Sequence, residues 1–293
     1  MAQILDGKAT AKSVRIRLKK EIRDLTARAG KPPQAVFIQV GDDPASTTYV
    51  NTKQRMSERI GCISTIDRPP ATITQDELLA KITGYNNDPD VHSILVQLPL
   101  PDHIDENAVL LAIDPRKDVD CFHPENVGRL MIGLNGPKPA TPLGVITMLD
   151  AYDIDVKGMN VTILGRSNLV GKPLGIMLLS RHATVTYCHT RTRDLVGECS
   201  RADLLIAAAG KANLVTAEMV KPGAIVVDVG TNFIPGVDAE GNPKDKLVGD
   251  VDFTSVEPVA GWISPVPGGV GPMTIASVLA NTVTLYKAIE GLD

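Results

Sequence analysis

The chain has 293 residues, of which 43% are hydrophobic and 22% are charged, a composition typical of soluble globular proteins. This length is sufficient for two domains of ordinary size. The net charge of −4 gives no electrostatic reason to expect nucleic-acid binding, and no stretch approaches the roughly 20 apolar residues of a membrane span. We therefore expect neither a nucleic-acid partner nor a membrane association.

Targeting and metal-binding signals are also missing from the sequence. The N-terminus has no basic region followed by a long apolar run, so we predict no signal peptide. The four cysteines form no C-x-x-C pair and the five histidines show no metal-ligand spacing, which favours reduced thiols, a cytoplasmic location and no bound metal.

The first 110 residues or so alternate between helix and strand patterns. In chain order we predict a helix over 8–29, a strand over 35–40, a helix from a Ser46 or Thr47 cap to about Arg59, a capping-box helix over 75–86 and a strand over 93–98. Alternation of this kind predicts a parallel sheet covered by helices.

The segment 114–144 is polar and then rich in glycine and proline, which indicates a loop and an interdomain connection. A helix is predicted over about 143–152 and a last one over about 273–289. Between them, residues 264–272 carry too much glycine and proline for a regular element.

A second α/β pattern covers residues 159–230. Its strands are predicted near 160–164, 184–188, 203–207 and 224–229. After the first of them, Gly165 ends an apolar run and Pro173 suits the first position of a helix. A strand, a glycine turn and a helix N-terminus form the pyrophosphate-binding part of a Rossmann fold. Because Ser167 replaces the second glycine of G-x-G-x-x-G, an ordinary turn between strand and helix remains the alternative.

The residues after the second strand of this unit indicate which dinucleotide would bind. An NAD site usually has Asp or Glu there, but His189-Thr190-Arg191-Thr192-Arg193 has no carboxylate before Asp194. Hydroxyl, imidazole and guanidinium groups suit a 2′-phosphate, which favours NADP. Arg166 is a second candidate for that phosphate. The alternative is that Arg191 and Arg193 are only solvated residues at a helix start.

Polar residues also follow other predicted strands. Gln97 lies at such a position in the first unit, while 165–167 and 188–190 do so in the second. In open α/β sheets ligands bind beyond the carboxyl ends of the strands. We therefore expect a cleft between two domains, with cofactor on one side and substrate on the other.

Several motifs together resemble one family, the bifunctional methylenetetrahydrofolate dehydrogenase/methenyltetrahydrofolate cyclohydrolases of one-carbon metabolism. The matching stretches are Ser46-Thr47-Thr48-Tyr49-Val50-Asn51-Thr52-Lys53, Val96-Gln97-Leu98-Pro99-Leu100-Pro101, Lys117-Asp118-Val119-Asp120-Cys121-Phe122-His123-Pro124, Gly165-Arg166-Ser167 with Val170-Gly171 and Pro173, Asp228-Val229-Gly230, Gly249-Asp250-Val251-Asp252, and Pro265-Val266-Pro267-Gly268-Gly269-Val270-Gly271-Pro272-Met273-Thr274. They span nearly the whole chain in the family's order.

The resemblance implies two α/β domains and two successive reactions. Residues 1–140 with 273–293 would form the folate-binding catalytic domain, and 141–272 the Rossmann domain that binds NADP. The enzyme would oxidise 5,10-methylenetetrahydrofolate with NADP to the methenyl form and hydrolyse that to 10-formyltetrahydrofolate, which supplies purine, histidine and methionine synthesis. A homodimer is also implied.

Site residues follow from the same matches. The resemblance places folate contacts and catalysis on Tyr49, Lys53, Gln97 and Asp120, with further substrate contacts on Val96, Leu98, Pro265, Gly268 and Gly269. It places NADP contacts on Gly165, Arg166, Ser167, Thr190, Gly230 and Thr231, and no metal. The chain departs from the family at Cys121, Ala140, Thr190, Ala212 and Thr231; Thr190 keeps a hydroxyl, while Ala140 and Thr231 put cofactor affinity in question.

Structural alternatives exist for each of these residues. Tyr49 and Lys53, four apart on a helix, would by default be an exposed pair. Gln97 could be a surface residue at a strand end and Asp120 a solvated charge. His123 is expected to be structural, and Trp262 with Ile263 to pack rather than stack on a cofactor.

Three rival functions remain open from the sequence. The first is a cyclohydrolase whose nucleotide domain is only a scaffold, which would need a broken cofactor turn. The second is another NADP-dependent dehydrogenase, acting on shikimate or an amino acid, which should lack the Tyr49, Lys53, Gln97 and Asp120 set. The third is a non-catalytic NADP sensor, which should lack Lys53 or Gln97.

Overall fold

The protein is described here by a computed structural model that covers residues 1–236 and 245–292. In chain order the helices and strands are β1 (Gln3–Ile4), α1 (Gly7–Ala29), β2 (Gln34–Ile38), α2 (Pro44–Ile60), β3 (Ile63–Asp67), α3 (Gln75–Asn87), β4 (Ser93–Val96), α4 (Glu106–Ala112), α5 (Pro124–Met131), α6 (Ala140–Ala151), β5 (Asn160–Leu164), α7 (Gly171–Leu179), β6 (Thr184–Cys188), α8 (Leu195–Ser200), β7 (Leu204–Ala207), β8 (Ile225–Asp228), β9 (Asn232–Ile234), β10 (Lys246–Val248), α9 (Phe253–Val256), β11 (Trp262–Ile263) and α10 (Val270–Glu290). The mixed α/β class predicted from the sequence is confirmed.

Two compact units make up the chain. One, called here the six-stranded unit, comprises Met1–Ala11 with Thr141–Thr274; the other, the three-stranded unit, comprises Lys12–Ala140 with Ile275–Asp293. This differs from the predicted boundary at the N-terminus, because β1 pairs in parallel with β11 and so joins the first residues to the six-stranded unit. No helix among the residues covered is both long and apolar enough to cross a membrane.

The three-stranded unit is built on a parallel sheet of order β3-β2-β4. Ile38 pairs with Val96, and both belong to the apolar cluster that α3 and α4 cover. Phe37 and Leu95 point to the opposite face, where they pack with Val50 of α2 and with α10. Helices on both faces bury the strands, as expected for a parallel sheet.

Helix α2 begins one turn earlier than the sequence pattern indicated. The Asp43 side chain, rather than Ser46 or Thr47, caps it by accepting the Ser46 N–H at 2.7 Å, and Pro44 occupies the first turn. The buried residues of the helix recur at spacings of three and four: Ser46, Val50, Lys53, Ser57 and Ile60. Lys53 therefore lies on the face that packs on the sheet.

Of the other predictions for this unit, one is confirmed and two differ from the structure. The capping box of α3 is confirmed, because Thr74 and Glu77 bond each other's backbone N–H. Strand β3 was missed, since its residues alternate only weakly and are largely solvent-accessible. The prediction of a loop throughout 114–144 was wrong, because α5 forms within it, with His123 as cap and Pro124 in its first turn.

The six-stranded unit contains a parallel sheet of order β1-β11-β8-β7-β5-β6. All four strands predicted in this region are present. A buried apolar cluster formed around β7 and β8 also includes the thiols of Cys188 and Cys199. Helix α7 begins at Gly171, so Pro173 is its third residue rather than its first, and α10 begins at Val270 within the segment predicted to be irregular.

Candidate active site and cofactor turn

Lys53 and Gln97 form a direct hydrogen bond in the three-stranded unit. The Lys53 Nζ donates to Gln97 Oε1 at 3.0 Å. Lys53 is only 7% exposed, because it lies on the sheet-facing side of α2. Gln97 follows the last residue of β4 and is held by its backbone N–H, which donates to Ile38 O, and by its side-chain Nε2, which donates to Leu98 O. The sequence-predicted pair is thus brought together at the carboxyl end of the strand.

The electrostatics of this pair involve one nearby carboxylate. Burial lowers the pKa of Lys53, and the charge of Asp120 partly opposes that shift. Burial likewise raises the pKa of Asp120, opposed by Lys53 and reinforced by Asp118. Both pKa values are displaced in the direction that favours the neutral form of each group.

The remaining folate-site candidates of this unit surround the pair. Tyr49 lies one turn before Lys53 on α2 and is 45% exposed. Val96 is buried at the end of β4, and Leu98 is half-buried just beyond Gln97. The structure therefore brings Tyr49, Lys53, Val96, Gln97, Leu98 and Asp120 together in one unit; their contacts with substrate stay predictions.

The loop that carries Asp120 is fixed by its neighbour Asp118, which the sequence analysis did not single out. Asp118 is buried, and its Oδ2 accepts the His123 backbone N–H at 2.9 Å and Asn126 Nδ2 at 3.0 Å. The His123 Nδ1 in turn accepts the Glu125 N–H at the start of α5. His123 makes the structural contact that was expected of it.

The glycine turn after β5 tolerates no side chain at two positions. Gly165 has φ +122°, and a Cβ there would lie 2.0 Å from Ala208 O. A Cβ on Gly171 would lie 2.4 Å from Gly165 O. The Ser167 Oγ accepts the N–H groups of Val170 and Gly171 at 3.1 and 3.3 Å, so Ser167 supports the start of α7. This close-packed strand, turn and helix fits a dinucleotide pyrophosphate.

The side chains beyond the turn suit a phosphorylated ribose. Arg166 is exposed and has no acceptor among the described residues, and Thr190 and Arg191 are exposed after β6. Asp194, the first carboxylate after that strand, accepts the Gly197 N–H at 2.9 Å and caps α8. Asp194 therefore serves as a helix cap, and the residues between β6 and Asp194 include no carboxylate of the kind that binds the ribose in an NAD site.

A buried pair of aspartates, which the sequence analysis quoted only as motif residues, organises the other strand ends of this sheet. Asp228 accepts the N–H groups of Gly230, Asp250 and Val251, all within 3.0 Å. The Gly230 and Thr231 positions of the predicted cofactor site are thereby fixed directly after β8. The signal available was the pair of motifs Asp228-Val229-Gly230 and Gly249-Asp250, whose glycines leave no space for a Cβ against the facing aspartate.

The glycine-rich loop before α10 is anchored within the six-stranded unit. The Gly269 N–H donates to Pro265 O at 2.7 Å, and the Lys8 N–H donates to Gly268 O at 3.1 Å. A Cβ on Gly7 would lie 1.7 Å from Gly269 O. Gly268 and Gly269 thus pack on the start of α1, and Pro265 is bonded to Gly269 within the loop. The contact of all three with substrate stays a prediction.

Two further sequence expectations concern packing and metals. Trp262 contacts Tyr152 edge to face, with ring centroids 5.4 Å apart, so it packs as expected. Within 1–236 and 245–292, no group of three or more His, Cys, Asp or Glu side chains is placed to hold a metal ion.

Comparison with known families covers most of the chain. Residues 5–120 match the model of the tetrahydrofolate dehydrogenase/cyclohydrolase catalytic domain, and residues 139–290 match that family's NAD(P)-binding domain. Among curated proteins, the bifunctional protein FolD of Moorella thermoacetica is 54% identical over 96% of this chain and 98% of its own length. FolD of Anaeromyxobacter dehalogenans is 53% identical over 98% and 99%.

Solved structures agree with these matches. The bifunctional FolD methylenetetrahydrofolate dehydrogenase/cyclohydrolase of Campylobacter jejuni has a TM-score of 0.92 and 48% identity, covering 98% of this chain and 99% of its own. The Trypanosoma brucei enzyme, solved with NADP cofactor and an inhibitor, has a TM-score of 0.91 and 38% identity, covering 98% of both chains. With both domain models matched in order and half of the residues identical over the full length, the chain belongs to the tetrahydrofolate dehydrogenase/cyclohydrolase family.

Proposed function

We propose that this protein oxidises 5,10-methylenetetrahydrofolate with NADP and hydrolyses the resulting methenyl compound to 10-formyltetrahydrofolate. The observation that carries the proposal is the buried Lys53–Gln97 hydrogen bond beside Asp120. Family membership and the activity named for the Campylobacter jejuni relative support it. A nucleotide sensor without catalytic activity would not need such a buried pair of proton donor and acceptor.

The oxidation needs a hydride acceptor held in place. When bound, NADP supplies that acceptor, and the nitrogens flanking the methylene carbon stabilise the cation left behind, so no metal is required. The missing side chains of Gly165 and Gly171 let the turn pack closely against Ala208 O and Gly165 O, and the N-terminal end of α7 that follows is proposed to hold the pyrophosphate. Arg166 is proposed to pair with the 2′-phosphate, since its guanidinium has no acceptor among the described residues.

Substrate binding is proposed to depend on Asp120. A pterin presents an amino group and a ring N–H side by side, and a carboxylate can accept both. Asp120 is half-buried and close enough to Lys53 for their charges to interact. Bound pterin donors would stabilise the ionised carboxylate and offset the effect of burial on its pKa.

Hydrolysis is proposed to use Lys53 as the proton-transferring group. Water adds to the bridging carbon of the methenyl cation, and the adduct loses a proton before it opens to the formyl product. A free lysine, with a pKa of about 10.4, is too basic to take that proton at neutral pH. Burial lowers the pKa of Lys53, and Gln97 Oε1 holds its Nζ at 3.0 Å, which makes the amine both available and oriented.

A cytoplasmic homodimer is part of the proposal. Strand β6 lies at the edge of the six-stranded sheet, where Tyr187 and, on α7, Leu179 are 38% and 61% exposed. A second copy pairing there would cover these side chains. The four cysteines are free and buried, which suits a reducing compartment. Light scattering coupled to size-exclusion chromatography, with Leu179→Glu as the variant, tests the dimer.

The activity itself is tested by incubating the protein with methylenetetrahydrofolate and NADP. We expect NADPH to form with transient methenyl compound, and added methenyl compound to be hydrolysed faster than in buffer. NADPH formation without accelerated hydrolysis would leave only a dehydrogenase. Accelerated hydrolysis without NADPH would leave only a cyclohydrolase on a scaffold, and neither reaction would favour a sensing role. A chelator should change neither rate.

A further inference from the structure

Gln39 presents a buried hydrogen-bond acceptor that no group in the described residues uses. The side chain is 1% exposed, and its Oε1 is the one buried side-chain polar atom recorded without a hydrogen-bond partner in 1–236 and 245–292. Leaving such an atom unpaired in a buried position is energetically costly. An acceptor of this kind therefore points to a donor that reaches it during function.

The orientation of the Gln39 amide is fixed by its other end. Nε2 donates to Thr47 Oγ1 at 2.6 Å and to Gly41 O at 3.3 Å. Because a backbone carbonyl can only accept, exchanging the amide nitrogen and oxygen would set two acceptors against each other. Oε1 is therefore the atom that faces away from the Gly41 loop.

The contacts of Gln39 place it on the same side of the sheet as the Lys53 site. Gln39 and Gln97 directly follow the paired last residues of β2 and β4, Ile38 and Val96, so they continue two neighbouring strands whose spacing is about 4.8 Å. Since residues two apart share a face of a strand, both glutamines lie on the α2 face with Phe37 and Leu95. Both glutamines contact α2: Gln39 bonds Thr47, and Gln97 bonds Lys53, which lies six residues further along the same helix.

Lys53 has the donors that this acceptor requires. A protonated lysine carries three N–H groups and a neutral one carries two, and one of them is used by Gln97 Oε1. We propose that Gln39 is a positioning residue of the cyclohydrolase, whose amide oxygen takes a second N–H of Lys53, directly or through one water, during hydrolysis. With both N–H groups of the neutral amine held by Gln97 and Gln39, its lone pair is left to accept the proton from the water that adds to the methenyl carbon.

The charged groups around Lys53 set what a pH profile would show. Asp120 faces it from the loop after Val119, with Asp118 behind, and Tyr49 is the titratable side chain one turn away on α2. Gln97 is neutral. Removing the Gln39 acceptor would destabilise the ammonium form further and lower the pKa of Lys53, whereas a carboxylate at position 39 would raise it.

The test measures cyclohydrolase kcat against pH, after subtraction of the uncatalysed rate, for the wild type, Gln39→Leu, Gln39→Glu and the control Thr47→Val. Thr47→Val removes the anchor of Nε2 but keeps the Gln39 oxygen. We expect the acidic-limb midpoint, below which protonated Lys53 can no longer act as a base, to move down by about 0.5–1 pH unit in Gln39→Leu, as the loss of one hydrogen bond implies. It should move up in Gln39→Glu and stay in place in Thr47→Val.

The outcomes separate this inference from the proposed function on which it rests. If the wild type does not hydrolyse the methenyl compound, the proposed function fails and this inference fails with it. If the wild type does so but Gln39→Leu and Gln39→Glu keep the wild-type midpoint, Gln39 only braces the Gly41 loop and the inference is overturned. Should Gln39→Leu not fold, the upward shift in Gln39→Glu decides alone. Dehydrogenase KM for NADP should stay within about twofold in every variant, as expected for a change remote from cofactor binding.

Discussion

Asp228 and Asp250 hold each other's chain segments in the six-stranded unit. The Asp250 backbone N–H donates to Asp228 Oδ1 at 2.9 Å, while the Asp250 side chain accepts the N–H groups of Ala209, Gly210 and Lys211 and the Asn232 amide. Two buried carboxylates thus fix the strand ends next to the Gly165 turn, whose Cβ direction is filled by Ala208 O. We infer that they position the cofactor side of the sheet.

The first prediction is that Asp250→Asn destabilises the fold and weakens NADP binding together. Each of the two carboxylate oxygens of Asp250 accepts two N–H donors. An asparagine amide in either orientation would therefore place its NH2 group, which cannot accept, opposite two of these donors. We expect the free energy of unfolding to fall by at least about 2 kcal/mol and KM for NADP to rise. The control is Asp252→Asn, which replaces the cap of α9 by an equally good capping residue and should change neither quantity.

The second prediction concerns the pH dependence of stability. Burial raises the pKa of Asp228 to about 6, above the roughly 3.9 of an unfolded aspartate. Protonation therefore favours the folded state, and the stability that this group contributes is full below about pH 4 and declines by about 2–3 kcal/mol as pH rises to about 6. Denaturant titrations of the wild type and Asp228→Asn at several pH values give the difference in unfolding free energy. As the pH rises across this window, the wild type should lose stability relative to Asp228→Asn. A difference that stays constant with pH would contradict the prediction.

The third prediction concerns the pterin. Asp120→Asn should weaken folate binding by about 1.5–3 kcal/mol, the scale of a hydrogen bond to a charged group. KM for NADP should be almost unchanged, because Asp120 lies in the three-stranded unit and the cofactor turn in the six-stranded one. Binding of a folate analogue by calorimetry measures the effect. Retained affinity would show that another acid binds the pterin.

The fourth prediction concerns the 2′-phosphate. Arg166→Ala should raise KM for NADP by roughly 10–150-fold, as the loss of a charge-assisted hydrogen bond implies, and leave KM for NAD unchanged. Arg191→Ala is the matched comparison, since Arg191 is also exposed near the strand ends. A loss confined to Arg191→Ala would transfer the role, and equal use of NADP and NAD by the wild type would contradict the NADP preference.

The sequence pattern was most informative where periodicity is strong. The long helices α1 and α10 and the buried strands β5, β7 and β8 follow from apolar spacing alone. Strand β3 did not, because Ile63 is 50% exposed at the edge of its sheet and the strand is specified by pairing with β2 rather than by its own residues. Two-residue strands such as β1 depend on a partner over 250 positions away, which no local pattern encodes.

The candidate site shows the same division. Lys53 and Gln97 could be named from motifs, but they are 44 residues apart, and only the fold brings Nζ within 3.0 Å of Oε1. Gln39 belongs to no motif, and only the structure shows that its side chain is buried and that its Oε1 lacks a hydrogen-bond partner. Asp228 and Asp250 are ordinary acidic residues after apolar runs until their shared hydrogen bonds are known.

The central claim, that Lys53 transfers protons in the hydrolytic step, is tested most directly by cyclohydrolase kcat and folate affinity in Lys53→Met. This change keeps much of the buried side-chain volume and removes the amine. We expect kcat for methenyl hydrolysis to fall by about 10²–10⁴-fold, the range of general acid–base catalysis, with a much smaller loss in folate binding and some dehydrogenase activity retained. A cyclohydrolase kcat near the wild-type value with a raised KM for folate would make Lys53 a substrate-tail binder and contradict the account.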